Sequence, residues 1–327
     1  METIHICIII VILALVFIYN LDFSQYIVLK LVIPNSNDMG GFAWHLHHVQ
    51  CLIHLCKIEN KIPIIFFHGG YYHNRYYGLN WYHHYFEPIH EYNCTCIALV
   101  GTIIGFNKIT KLPLGNSKRP FLYTNDTFQK LVRPMKDIKW SECYTYIKPT
   151  ADLQFEIDSF CEEHFTNMYV IGVHYRGTDK FMGIGMEDLK ENKHKNYEDV
   201  ISEINKEYTG DCVVFVASDE QPFVDMCENV FENVCYYTSS RSTISTSGLE
   251  IDYQQCSNSK DCEKLKELED HSIHRGINDI DPYKKGKDAV MDIWLLSRCD
   301  MFFRTHGGNF GSQPGRINPS LIVKKLV

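Results

Sequence analysis

The chain has little positive charge in any one place. Its 32 Lys and Arg are outnumbered by 40 Asp and Glu, the formal net charge is -8, and no long basic run occurs. A grip on a nucleic-acid backbone needs clustered cations, so that class is excluded. There is no Gly-x-Ser-x-Gly elbow, so His68-Gly69-Gly70 has no nucleophile to serve as a hydrolase oxyanion loop. No HExxH spacing sets His45, His47, His48 and His54 on a metal, and no paired CxxC spacing offers a structural zinc site. Internal repeats are absent. Charged residues make up 22% and hydrophobic residues 45%, a globular balance that excludes disordered, collagen-like and coiled-coil chains. At 327 residues, about two domains are expected.

Charge is also missing between Thr3 and Leu21, where Ile4 to Tyr19 is almost wholly apolar. As a helix, that window just spans the ~30 Å hydrocarbon core. Glu2 precedes the run, and Phe17, Ile18 and Tyr19 close it, so the positive start and small-residue exit of a cleaved signal are not seen. Residues 1–22 read as an uncleaved single-pass membrane anchor, with a cleaved signal or a buried helix as alternatives. A lumenal, Golgi- or ER-like catalytic domain is the simpler arrangement. The sequons at Asn93 and Asn125 fit it. Cys256 and Cys262 bracket a polar stretch that a disulfide would staple; free buried thiols are the alternative.

Tyr26–Ile33 reads as a strand, followed by a polar loop, Gly40-Gly41, a helix to about Cys56, and a second strand at Ile62–Phe67. That is the order of a βαβ unit. Residues 69–149 are rich in Tyr, His, Trp and Pro with weak periodicity, and read as irregular structure with short helices. A second α/β series follows. Its strands fall at Tyr169–His174, Cys212–Ala217, Val234–Tyr237 and Met301–Phe303. Its helices fall near 150–167, 197–208, 223–231 and 287–299. Residues 239–281 read as a long surface loop, and Ser320–Leu326 as a last strand or cover element. The fold class expected is α/β with two Rossmann-like domains, 23–165 and 166–327, facing across a cleft behind an N-terminal hydrophobic anchor helix.

Three clusters carry chemistry. The buried strand at 169–174 delivers His174, Arg176, Asp179 and Lys180 to its carboxyl end, where open α/β sheets bind ligands. An arginine there offers a fixed fork to a pyrophosphate, although Arg176 pairing with Asp179 would also account for it. Ser218 and Asp219 end the next strand, either as a helix N-cap or as a polar contact for a ligand. Asp292 lies within an apolar helix, where a carboxylate calls for a partner, a ligand or an arginine. Thr305, Gly307, Gly308 and Asn309 form a small-residue turn whose backbone N–H groups suit phosphate.

These clusters, with Gly41-Phe42 and Leu46-His47-His48-Val49 upstream, resemble the α1,6-fucosyltransferase and protein O-fucosyltransferase superfamily of GT-B glycosyltransferases, nearest its core α1,6 branch. The most specific stretch is Gly172-Val173-His174-Tyr175-Arg176-Gly177-Thr178-Asp179-Lys180. Leu296-Ser297 to Asp300 adds to it, and Tyr85-Phe86-Glu87-Pro88 less so. The resemblance implies inverting, metal-free transfer of fucose from GDP-fucose to a glycan or glycoprotein, with no further cofactor. It implies Arg176 at the β-phosphate, with Asp179 and Lys180 beside it at the catalytic strand end. His174 and Asp292 would bind guanosine, and Asp219 the nucleotide side of the cleft. Gly41, Phe42 and Thr305 to Asn309 would line the diphosphate. Three departures stand out. Gly177 replaces the second of two adjacent arginines, Ala43-Trp44-His45 stands where the branch has Gly-Cys-Gln, and a serine-rich turn becomes His306-Gly307-Gly308. The glutamate proposed as base in that branch falls near Ile184, with Glu187 close by. A transferase for another nucleotide sugar, or a membrane-anchored glycan-binding protein without turnover, are the readings that compete.

Overall fold

A computed structural model describes residues 22–33, 41–89, 98, 101–102, 105–114, 118–135, 137–177, 196–245, 247, 280–305 and 308–326. The apolar window at 3–21 lies outside these residues, as do Asn93, Cys94, Cys96, Cys256 and Cys262. Among the described residues, no helix is long and apolar enough to cross a membrane, and the described cysteines are free thiols, most of them buried.

The chain divides into two compact units, one of Met1–Met39 with His45–Lys148, the other of Gly40–Trp44 with Pro149–Val327. In the first, β1 (Tyr26–Ile33), helix α1 (Phe42–Glu59, whose first three residues fall in the second unit) and β2 (Ile62–Gly69) form the expected βαβ core. The strands pair in parallel from Tyr26 opposite Ile62 to Ile33 opposite Gly69. The stretch read as irregular contributes a short helix α2 (Tyr82–Tyr85) and two further strands, β3 (Asn107–Lys108) and β4 (Phe121–Tyr123). They complete a parallel sheet in the order β2-β1-β4-β3. Strands of two and three residues are too short to show a period-2 pattern.

The histidines of this unit belong to an aromatic core. His45 packs against Phe67, Tyr72 and Trp81, and His48 against Tyr123 and Phe128. Burial pushes their imidazoles down to about 3 and about 4, so both stay neutral. Among the described residues, no group of His, Cys, Asp or Glu side chains converges as a metal site.

The second unit runs α3 (Ala151–His164), β5 (Tyr169–Tyr175), α4 (Tyr197–Asn205), β6 (Cys212–Ser218), α5 (Gln221–Val230), β7 (Val234–Cys235), α6 (Pro282–Ser297), β8 (Met301–Arg304), α7 (Asn309–Ile317) and β9 (Ile322–Lys325). All five strands are parallel, in the order β7-β6-β5-β8-β9. Chain order reverses between β5 and β8, the switch point at which doubly wound sheets open a ligand crevice. β6 is buried at every residue and β5 at all but its first, which accounts for their unbroken apolar runs. On one side, Ile171, Val173, Val214, Val216, Phe223, Val224 and Phe303 share a core with α4 and α5. Each such side chain contributes ~1.5–3 kcal/mol by burial. Helix α6 starts five residues before the expected position, because Pro282 fits the first helical position and the Asp281 carboxylate caps the Tyr283 N–H (3.1 Å).

Candidate functional site

The carboxyl edge of the second sheet gathers the residues that matter. β5 ends in His174-Tyr175-Arg176-Gly177, β6 in Ser218-Asp219, and β8 in Arg304-Thr305. His174 is buried, and its ring stacks on Phe310 of α7 with centroids 4.5 Å apart and planes 18° apart. Its carbonyl accepts from the Thr305 hydroxyl (2.9 Å), which ties β5 to the turn after β8.

Asp219 organises the strand end. One carboxylate oxygen accepts the Gly177 N–H (2.9 Å), and the other faces the Arg176 Nε at 3.7 Å. The Arg176 side chain is 12% exposed and that of Asp219 6%, so the pair lies in a region of weakened solvent screening. The helix-cap reading of Ser218 and Asp219 fails. Residue Glu220 is the N-cap of α5, without a side-chain cap bond, and Ser218 Oγ instead accepts from the Glu220 N–H (3.1 Å). Arg176 pairs with Asp219; Asp179 lies outside the described residues.

Helix α6 forms the opposite wall. Lys285, Asp288, Ala289 and Asp292 lie at i, i+3, i+4 and i+7, one face of a helix, and all four line one cavity with His174, Arg176, Ser218, Asp219 and Phe310. Ser239 and Ser240, after β7, complete it, and its volume is about 50 Å³. Asp288 is fixed by Lys284 (2.9 Å to each oxygen) and by the Ser240 N–H (2.9 Å). Asp292 is 8% exposed, and its Oδ1 has no hydrogen-bond partner among the described residues. Burial raises its carboxyl to about 8, with Arg241 and Lys284 opposing the rise and Asp288 adding to it.

Gly308 is the N-cap of α7, and Asn309 its first residue. Arg304 holds this turn: its Nη2 donates to the Gly308 carbonyl (3.2 Å), and its stem passes where a Cβ on Gly311 would meet it at 3.0 Å. Gly41 is exposed just before α1, and Phe42 is buried at its first position. Gln313 of α7 donates to the neighbouring Ala43 carbonyl (3.4 Å).

The structure therefore brings His174, Arg176, Asp219 and Asp292 to one cavity. It places Thr305, Gly308 and Asn309 at the adjoining turn, and Gly41 and Phe42 at the start of α1. Asp179, Lys180, Glu187 and Gly307 fall outside the described residues. Sequence reasoning missed Lys285, Asp288, Ser239, Ser240 and Phe310. The first two were legible as a polar stripe on an otherwise apolar helix. The serines sit in a stretch read as surface loop, and nothing local marks them.

No protein-family model and no curated protein sequence matches the chain. Solved structures do. The fucosyltransferase NodZ from Bradyrhizobium superposes with a TM-score of 0.53 at 14% identity, over 90% of this chain and 93% of that one. The apo form of POFUT1 gives 0.50 at 11% identity, over 93% and 98%. The chain shares the fold of these two structures.

Proposed function

We propose that this chain is a fucosyltransferase-like glycosyltransferase that transfers fucose from GDP-fucose to a glycan or glycoprotein acceptor, with inversion and without a metal ion. The observation that carries this reading is the meeting of Arg176, His174 and Asp292 on one cavity at the switch point of a parallel sheet, in a chain with a fucosyltransferase fold.

Each group has a task. The base edge of guanine presents N–H donors, and Asp292 offers a buried carboxyl oxygen that no described neighbour occupies. The His174–Phe310 stack provides an aromatic wall beside it. Arg176 reaches the diphosphate. As the bond between fucose and GDP breaks, negative charge grows on the β-phosphate, and a guanidinium already oriented by Asp219 stabilises that charge without reorganising. The backbone N–H groups at the start of α7 add to this stabilisation. The acceptor hydroxyl must lose its proton to a base; Glu187 is our candidate. Residues 3–21 would anchor the catalytic part at a lumenal membrane face, testable by carbonate extraction of membranes from expressing cells.

The test is donor preference. GDP and GDP-fucose should raise the melting temperature, by ~2.7 kcal/mol of stabilisation at 100 times Kd, and UDP and ADP should not. Radiolabelled fucose should then pass from GDP-fucose to glycoprotein acceptors. An equal shift with UDP would point to another nucleotide sugar. Binding of GDP-fucose with neither transfer nor slow donor hydrolysis would favour the non-catalytic reading, which the single arginine motivates.

A further inference from the structure

A side chain at position 177 would have to displace Glu220. A Cβ there would stand 1.8 Å from Glu220 Oε1. Glu220 is fully buried and accepts from the Tyr197 hydroxyl, so displacing it would strip a buried carboxylate of its partner. With glycine at 177, the residue after Arg176 supplies no second positive charge.

Helix α6 offers one from across the cavity. Lys285 shares the cavity with Arg176 and is 8% exposed. Lysine is among the side chains least often buried, because its ammonium loses hydration, and a lysine lining a ligand cavity favours an anionic group there. The spacing along the helix fits a nucleotide. Lys285 and Asp292 are seven residues apart, about 10 Å along the axis at ~1.5 Å per residue. Ala289 lies between them with almost no side chain to obstruct a ligand. That span is the length scale from the hydrogen-bonding edge of a purine to the phosphates of its nucleotide. Asp292 lies deeper along α6, and Lys285 lies near its N-terminus, toward the carboxyl edge of the sheet. Lys284 donates to Asp288 and to the Thr238 carbonyl (3.3 Å).

We infer that Lys285 is the second cation of the nucleotide site, donating to the phosphate end of a guanine nucleotide whose base lies against Asp292. The inference rests on the donor reading above. Calorimetric titration of the full chain with GDP and with guanosine tests it, on wild type, Lys285→Met and Lys285→Arg. A lost charge-assisted hydrogen bond should weaken GDP by roughly 10- to 100-fold in Lys285→Met and leave guanosine unchanged; Lys285→Arg should keep most of the GDP affinity. Unchanged GDP binding in Lys285→Met would overturn the inference alone. So would an equal loss for both ligands, which marks a structural or base-contacting lysine. Wild type that binds neither ligand would overturn the guanine reading itself. A melting curve accompanies each variant, and Lys285→Gln replaces Lys285→Met if the latter does not fold.

Discussion

Burial holds the Asp292 carboxyl near 8, far above the ordinary 3.8, and the sign of that shift has two consequences. A carboxyl whose folded value is raised binds its proton more tightly in the folded chain than in the unfolded one. The stability tied to that proton is present in full below about pH 4 and is lost as pH climbs through about 8. The base edge of guanine asks for the opposite state, since its ring N–H and amino groups donate and need an ionised acceptor. Guanosine affinity should therefore rise up to tenfold per pH unit between pH 6 and pH 8, then level off. Asp292→Asn should abolish that rise and weaken guanosine, yet stabilise the ligand-free protein more at pH 8 than at pH 5. Guanosine titrations and melting curves at both pH values decide this. A guanosine affinity independent of pH from 6 to 8 in wild type would remove Asp292 from the base contact.

At the scale of elements, Gly172 shows what sets the distance between sheet and helix. It lies mid-strand in β5, where glycine costs order, and a Cβ there would meet Cys299 Sγ at 2.7 Å and Leu296 Cδ2 at 3.0 Å. Both belong to the segment that carries α6 into β8, so the glycine lets that segment lie against the central strand. Gly172→Ala should cost ~1–3 kcal/mol by overpacking and lower the melting temperature. A melting temperature equal to wild type would show that α6 yields freely. The strong elements of the second unit were legible because buried parallel strands announce themselves as apolar runs: β5 and β6 lie within a residue of their expected bounds. β3 and β4 were not, because two or three residues carry no period. The site was legible at strand ends and on α6. Arg176 and Asp219 stand out as charge following an apolar run and Asp292 as a carboxylate within an apolar helix, whereas Ser240 reaches the cavity through packing between elements distant in sequence.

At the scale of the whole molecule, likeness to the solved NodZ structure lies in the fold, at 14% identity. The chemistry should then depend on what the sheet edges provide. On the proposed reading Arg176, paired with Asp219, would do what a divalent ion does in metal-dependent transferases: offset charge on the departing diphosphate. Fucose transfer should persist in EDTA at the wild-type rate. Arg176→Ala should lower kcat by roughly 10²-fold or more, the scale of removing one preorganised donor, and Mn²⁺ should not restore it. Arg176→Lys should fall nearly as far, because it keeps the charge but not the planar fork. Initial rates for the three proteins, with EDTA and with added Mn²⁺, separate the possibilities. Wild-type activity lost in EDTA and regained with Mn²⁺ would place a metal where we place the guanidinium. An Arg176→Ala rate near wild type, with the melting curve unchanged, would remove Arg176 from the reaction and favour a binding protein that kept the fold without turnover.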